Sequence, residues 1–187
     1  MQADSPEAPP GAPKDMSSGT SSGLDDATLA FAARVFQYAR MGHAEELADL
    51  FAQGMPANLR NDKGDSLLML AAYNGQAETA RAVLEAGGDP ELANDRGQTP
   101  LAGAAFKGDA GIVDLLLNHG AAVDGVVEGA RTALMLAAMF DRVAIVERLL
   151  ARGADPARRD ASGMNAAELA RQMGARETPA LLERAAG

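Results

Sequence analysis

An all-α solenoid of stacked helix-turn-helix units with protruding hairpin-like loops is the fold this sequence predicts, and three observations predict it. Glycines recur at one register, with Gly42, Gly75, Gly108 and Gly174 in a single column at steps of 33 residues and Asp141 in the same column. A second glycine column runs through Gly54, Gly87, Gly120 and Gly153. Between the columns lie short apolar runs that begin with a helix-capping residue and carry an Ala-Ala pair, at 71–72, 104–105 and 137–138. A period this regular defines the architecture before any single motif does.

The elements follow in order along each unit. Ser66, Thr99, Thr132 and Asn165 stand just before apolar runs, where a side-chain oxygen can accept from the unpaired N–H groups of a helix start. Pro100 comes next to Thr99, at the first helical position that proline favours. The first glycine column then ends each short helix by adopting positive φ, and Asp141 is one of the few other residue types that tolerates it. A second helix follows. Its apolar residues come in pairs one turn apart, as in Ile112-Val113 with Leu116-Leu117 and Ile145-Val146 with Leu149-Leu150, giving a single apolar stripe. The second glycine column closes that helix, and segments such as G-G-D-P-E-L-A-N-D-R-G-Q-T (87–99) run through a tight turn at Gly97 into the next unit. One unit cannot bury its own apolar face, so the units must stack.

The stretch N-D-R-G-Q-T-P-L-A-G-A-A-F-K-G-D-A-G-I-V-D-L-L-L-N-H-G-A-A-V-D (94–124) resembles an ankyrin repeat, whose pattern includes T-P-L-H-x-A on a 33-residue period. G-H-A-E-E-L (42–47) and R-G-A-D-P (152–156) are similar to other parts of that pattern. The resemblance covers residues 25–187 and implies an ankyrin-repeat domain of five units, at about 28–60, 61–93, 94–126, 127–159 and a shortened 160–187. Terminal units must face water, and the polar opening D-D-A-T-L-A-F-A-A-R and the closing T-P-A-L-L-E-R-A-A-G fit that demand. Thr178 and Pro179 read as the cap and first turn of the last helix. The family's His after T-P-L is replaced by Met69, Ala102 and Met135. In ankyrin repeats that His ties neighbouring loops, so apolar packing is expected to substitute here. In the fourth unit Ala130 stands where the others have Gly64, Gly97 and Gly163. Gly125 and Gly129 are placed to absorb the change, either as neutral variation or as a loop reshaped for a partner.

Residues 1–24 hold four Pro, three Gly and five Ser, with Met1, Met16 and Leu24 as the sole large apolar side chains. Such a segment buries too little surface to offset its chain entropy, so a disordered tail is expected. It contains acids and prolines where a secretory signal needs a basic start and an apolar centre, and no stretch approaches the roughly 18 apolar residues of a membrane span. A cytoplasmic protein is the expectation. The net charge of −9 opposes phosphate backbones and anionic membranes, so neither nucleic acid nor membrane is an expected partner. Absence of Cys excludes disulfides, thiolate metal sites and a Cys nucleophile.

Catalytic chemistry finds no constellation. G-T-S-S-G (19–23) matches the serine-hydrolase elbow but follows no strand. His43 opens a second helix, and His119 precedes the helix-ending Gly120, so both read as structural. Carboxylates are scattered, and neither a Walker-type loop nor G-x-G-x-x-G after a strand is present. No cofactor or metal is expected.

What the resemblance implies is a non-enzymatic, monomeric protein-interaction module that scaffolds or regulates a protein partner through its concave inner-helix face and loop tips. A dedicated inhibitor or accessory protein of one enzyme is the alternative, with a small-ligand or enzymatic role behind it. Carried onto this chain, the contact set is Asp62, Lys63 and Asp65, then Asp95, Arg96 and Gln98, then Glu128 and Arg131. To it belongs the column of large residues after the Ala pairs, Tyr73, Phe106 and Met139, with Asn74, Lys107 and Phe140 beside them. Two readings of that column stand: an exposed interface ridge, whose aromatic and Met content suits an interface core, or packing between adjacent units. Burial separates them.

Overall fold

The computed structural model describes residues 26–186. The expected disordered tail at 1–24, with its G-T-S-S-G, lies outside the described residues. Among the described residues ten helices appear in five pairs: α1 (Asp26–Met41) with α2 (Ala44–Ala52), α3 (Leu67–Tyr73) with α4 (Ala77–Glu85), α5 (Pro100–Lys107) with α6 (Ala110–Asn118), α7 (Ala133–Met139) with α8 (Val143–Ala151), and α9 (Ala166–Gln172) with α10 (Thr178–Ala186). Odd-numbered helices pack against one another in sequence and form an inner layer. Helices α2, α4, α6 and α8 do the same outside it, and α10 packs against α9, α8 and α7. Among the described residues no helix is long and apolar enough to cross a membrane. The hairpin-like loops are turns rather than strand pairs, with one isolated bridge between Arg60 and Ser66.

The caps form as the sequence predicts. Ser66, Thr99 and Thr132 accept from the N–H groups of Met69, Ala102 and Met135 at 3.0, 3.3 and 3.2 Å. Asn165 accepts from Glu168 N at 2.9 Å while Glu168 Oε2 accepts from Asn165 N at 2.8 Å, a complete capping box. Pro100 occupies the first turn of α5. Such caps matter here because inner helices of seven or eight residues are too short to persist in water without tertiary support.

That support is apolar packing at every step of the stack. Leu68, Leu101 and Leu134 are buried, as are all three Ala-Ala pairs, in one continuous cluster. Ala lets helix axes approach closely, and the Leu column fills the remaining volume. Replacing a buried Leu of this kind by Ala costs about 2–5 kcal/mol in general.

At Asp141 one residue serves two demands. Its φ of 53° ends the α7 turn in the left-handed region where glycine stands in the other units. Its carboxylate accepts from the N–H groups of Arg176, Glu177 and Thr178, each at 3.0 Å, and so caps the start of α10 from the preceding unit. Thr178 belongs to α10 itself, and its hydroxyl donates to the Ala138 carbonyl at 2.8 Å; the cap expected at Thr178 is thus supplied by Asp141. The N–H bonds from Thr178 and Arg176 hold the Asp141 carboxyl down at about 2.

Two predictions follow from this packing. Because the folded-state value at Asp141 lies below the unfolded value near 3.9, its contribution is complete above about pH 4–5 and disappears as pH falls through about 2. Asp141→Gly keeps the turn and removes the cap, so urea denaturation at pH 6 should show a loss of about 1 kcal/mol, with little further loss from this site on acidification; unchanged stability at pH 6 would contradict the assignment. Thr79, fully buried in α4, has a hydroxyl without a hydrogen-bond partner among the described residues, and the same register position carries Ile112 and Ile145. Thr79→Val should therefore raise stability, by about 1 kcal/mol on the scale of an unpaired buried hydroxyl, and a lower midpoint would refute it.

Candidate functional site

The loop tips are built by side-chain acceptors. Asn61 Oδ1 accepts from the N–H groups of Lys63 and Asp65, Asn94 Oδ1 from those of Arg96 and Gln98, and Asp160 Oδ1 from those of Ser162 and Met164. Each therefore fixes the residues two and four positions on, the local bonding that favours Asx residues in turns. Burial pushes the Asp160 carboxyl up, but bonds from the Ser162 hydroxyl, Met164 N–H, Arg131 and Ser162 N–H outweigh it and leave it below the usual range.

Successive loops are also tied to each other. Buried Asn94 donates from Nδ2 to Asp65 Oδ1 at 2.8 Å, and Asp95 N donates to the Lys63 carbonyl at 3.2 Å. Further along, Arg131 Nε donates to Asp160 Oδ2 at 3.2 Å and Ala161 N to the Gly129 carbonyl at 3.0 Å. Met69, Ala102 and Met135, in the position of the family's His, are buried. Apolar packing does fill that position, but the loops are tied by their own polar groups, which the sequence expectation did not include.

The fourth loop shows why its glycine moved. Val127 stands where the other loops have Asn61, Asn94 and Asp160 and offers no side-chain acceptor. The turn keeps its Ala130 N to Val127 O bond at 2.9 Å, but positive φ falls on Gly129, at 78°, one place earlier than in the other loops. A positive φ at the third residue is what a type II turn requires. Gly129 absorbs the change, as the sequence allowed.

The groove lies between these loops and the free face of the inner helices. One cleft of about 280 Å³ is lined by Arg40, Lys63, Met69, Tyr73, Arg96 and Gln98, among others. A second, of about 330 Å³, adjoins it through Arg96 and Gln98 and reaches Arg131 and Leu136. Of the loop residues named from the sequence, Asp62, Lys63, Asp95, Arg96, Glu128 and Arg131 are exposed, and Gln98 is half-buried. Asp65 is buried beneath Asn94, so it supports the loops and has no free surface.

The column after the Ala pairs is an open ledge of rings with one correction. Tyr73 is 39% exposed and stacks on half-buried Phe106 at 5.8 Å between ring centroids. Phe106 in turn meets Phe140 edge-on at 4.8 Å, and Phe140 is 37% exposed. Met139, expected to face outward, is 8% exposed and belongs to the core cluster. Its unbranched thioether fits an irregular interior gap, and the neighbouring Phe140 continues the ring line instead. The rings thus pack on one another between units and still present a face. Gly103 makes room for the Met69 side chain beneath the first ring: a methyl there would stand 3.1 Å from Met69 Sδ, while Tyr73 would lie at ordinary contact distance. Lys107 Nζ lies 5.0 Å from the Tyr73 ring centroid, and Asn74 Nδ2 donates to the Leu70 carbonyl at 2.8 Å.

The two histidines have local partners. His43 Nδ1 lies 2.9 Å from Glu46 Oε1 and its ring lies against Tyr38. His119 Nδ1 donates to the Leu115 carbonyl at 2.9 Å, at the end of α6.

Against known proteins, a family model described as ankyrin repeats (3 copies) matches residues 35–126 and again residues 68–160. A curated Pseudomonas aeruginosa protein, named as an ankyrin repeat protein, is 53% identical over 58 residues, which cover 31% of this chain and 34% of that protein. The match therefore spans about a third of that relative's length.

The loop ties generate a prediction for Asn94. Asn94→Ala removes the two bonds from Arg96 N and Gln98 N that order its own turn and leaves Asp65 short of a buried donor. A loss of about 2 kcal/mol or more is expected in urea denaturation, together with faster hydrogen exchange at the amides of Asp65, Arg96 and Gln98. A loss below about 0.5 kcal/mol, within the range of an ordinary surface change, would show that the loops hold without it.

Proposed function

The chain belongs to the ankyrin repeat family, and on that premise we propose that it is a non-enzymatic, cytoplasmic scaffold that works as a monomer and holds a partner protein in the groove between its inner helices and loop tips. Ankyrin repeats are in general a protein-interaction fold. The observation that carries the reading for this chain is the ring ledge: Tyr73, Phe106 and Phe140 run across three successive units in mutual contact and still expose aromatic surface. Rings held this way lose little freedom on binding, and preorganised aromatic surface is the usual centre of a protein interface. Lys63, Arg96 and Gln98 across the clefts supply polar groups around that centre. Asp62, Asp95 and Glu128 stand exposed at the loop tips as its rim, where charge sets encounter rate more than affinity.

The test is an affinity capture with the purified full chain and with a Tyr73→Ala/Phe106→Ala variant whose helical circular dichroism matches the wild type. A protein retained by the wild type and lost from the variant is the expected result. Equal retention by both, or retention by neither, would count against the ledge as a contact surface.

A further inference from the structure

Charge is unevenly divided between the two layers. Inner helices α3, α5 and α7 contain no acidic residue, and Lys107 is their single charge. Outer helix α2 carries Glu45, Glu46 and Asp49 without a base, and α4 carries Glu78 and Glu85 against Arg81. In a chain with 26 acids and 17 bases, these three inner helices thus add no carboxylate to the groove, whose acids come from the loops. The cleft under the ring ledge is lined instead by Arg40, Lys63 and Arg96. None of these three has an ion-pair partner among the described residues. The one acid lining that cleft, Asp65, is buried and bonded to Asn94 and Asn61. In the adjoining cleft Arg131 is already paired with Asp160, so it adds little free charge.

We propose that the groove takes an acidic peptide segment of its partner, with carboxylates meeting Lys63, Arg96 and Arg40 and an apolar side chain lying on the Tyr73–Phe106–Phe140 ledge. The inference rests on the binding role proposed above and adds the partner's chemistry to it. Three cations line one concavity without internal ion-pair partners, and the one acid in that lining is buried and bonded, so the cleft favours a carboxylate. At physiological ionic strength charges beyond about 8 Å are screened, so the acids of the outer helices matter less to a bound segment than the cations it touches in the cleft. The rings add an apolar anchor beside the charges, the arrangement in which a short segment gains both register and affinity.

The experiment uses the full chain to select from a random-peptide display library, followed by binding of the enriched peptides to three variants. Lys63→Glu/Arg96→Glu reverses the groove charge, Arg81→Glu alters the outer helix α4 as a control, and Tyr73→Ala/Phe106→Ala removes the ledge. Enriched peptides should hold more Asp and Glu than the input. Their affinity should fall about tenfold or more with the groove reversal, change less than about twofold with Arg81→Glu, and weaken as salt rises. Should Lys63→Glu/Arg96→Glu fail to fold, Lys63→Gln/Arg96→Gln gives the same ranking with a smaller drop. Peptides without an acidic bias, or acidic ones indifferent to the charge variants, overturn the inference. If such peptides still depend on Tyr73 and Phe106, the groove remains a binding site and this inference alone is lost. If they ignore the ledge as well, or nothing is enriched, both fall.

Discussion

Nearest-neighbour burial of short helices is the constraint on which everything else depends. An inner helix of seven or eight residues cannot stand alone, and it packs on the inner helices of neighbouring units as well as on the second helix of its own. Each unit is therefore ordered by the one before and the one after, in the manner of a one-dimensional stack. The consequence is a surface whose rows are set by the repeat itself: whatever follows the Ala pair recurs at regular spacing along the groove. Tyr73, Phe106 and Phe140 form a line because the packing beneath them is periodic.

Polar groups then fix what apolar packing leaves free. Helices in this stack could tolerate small shifts, but the loops are pinned by directional bonds from Asn61, Asn94 and Asp160 and by the links from Asn94 to Asp65 and Arg131 to Asp160. These bonds connect a fold-level requirement to a functional one, because Lys63, Arg96 and Arg131, which line the clefts, sit on the same tips. Asp141 works in the same way further along, where one residue ends the α7 turn through its φ and starts α10 through its carboxylate.

Most of the fold was legible in the sequence because the repeat places the same residue types at the same structural positions. Caps at Ser66, Thr99, Thr132 and Asn165 and positive φ at the glycine columns came directly from local chemistry. The loop ties were not read, although their signal was present: Asn61, Asn94, Val127 and Asp160 share one column, and the odd member marks the odd turn. Met139 went wrong for a different reason. Register assigns a residue to a column but not to a side of the helix end, and a flexible Met beside a rigid Phe goes inward while the ring takes the ledge. Asp65 likewise looked like a loop-tip contact until its buried bond to Asn94 was visible. Charge sidedness needed three dimensions, since it depends on which clefts the loop cations line.

The account stands or falls on the ledge, and hydroxyl-radical footprinting of the free protein tests it most directly. Met is intrinsically among the most easily oxidised side chains, so Met41 and Met173, 59% and 50% exposed, serve as internal standards. The account predicts that Met139 is strongly protected relative to them while Tyr73 and Phe140 are labelled. Oxidation of Met139 at the rate of Met41, with Tyr73 and Phe140 protected, would contradict it.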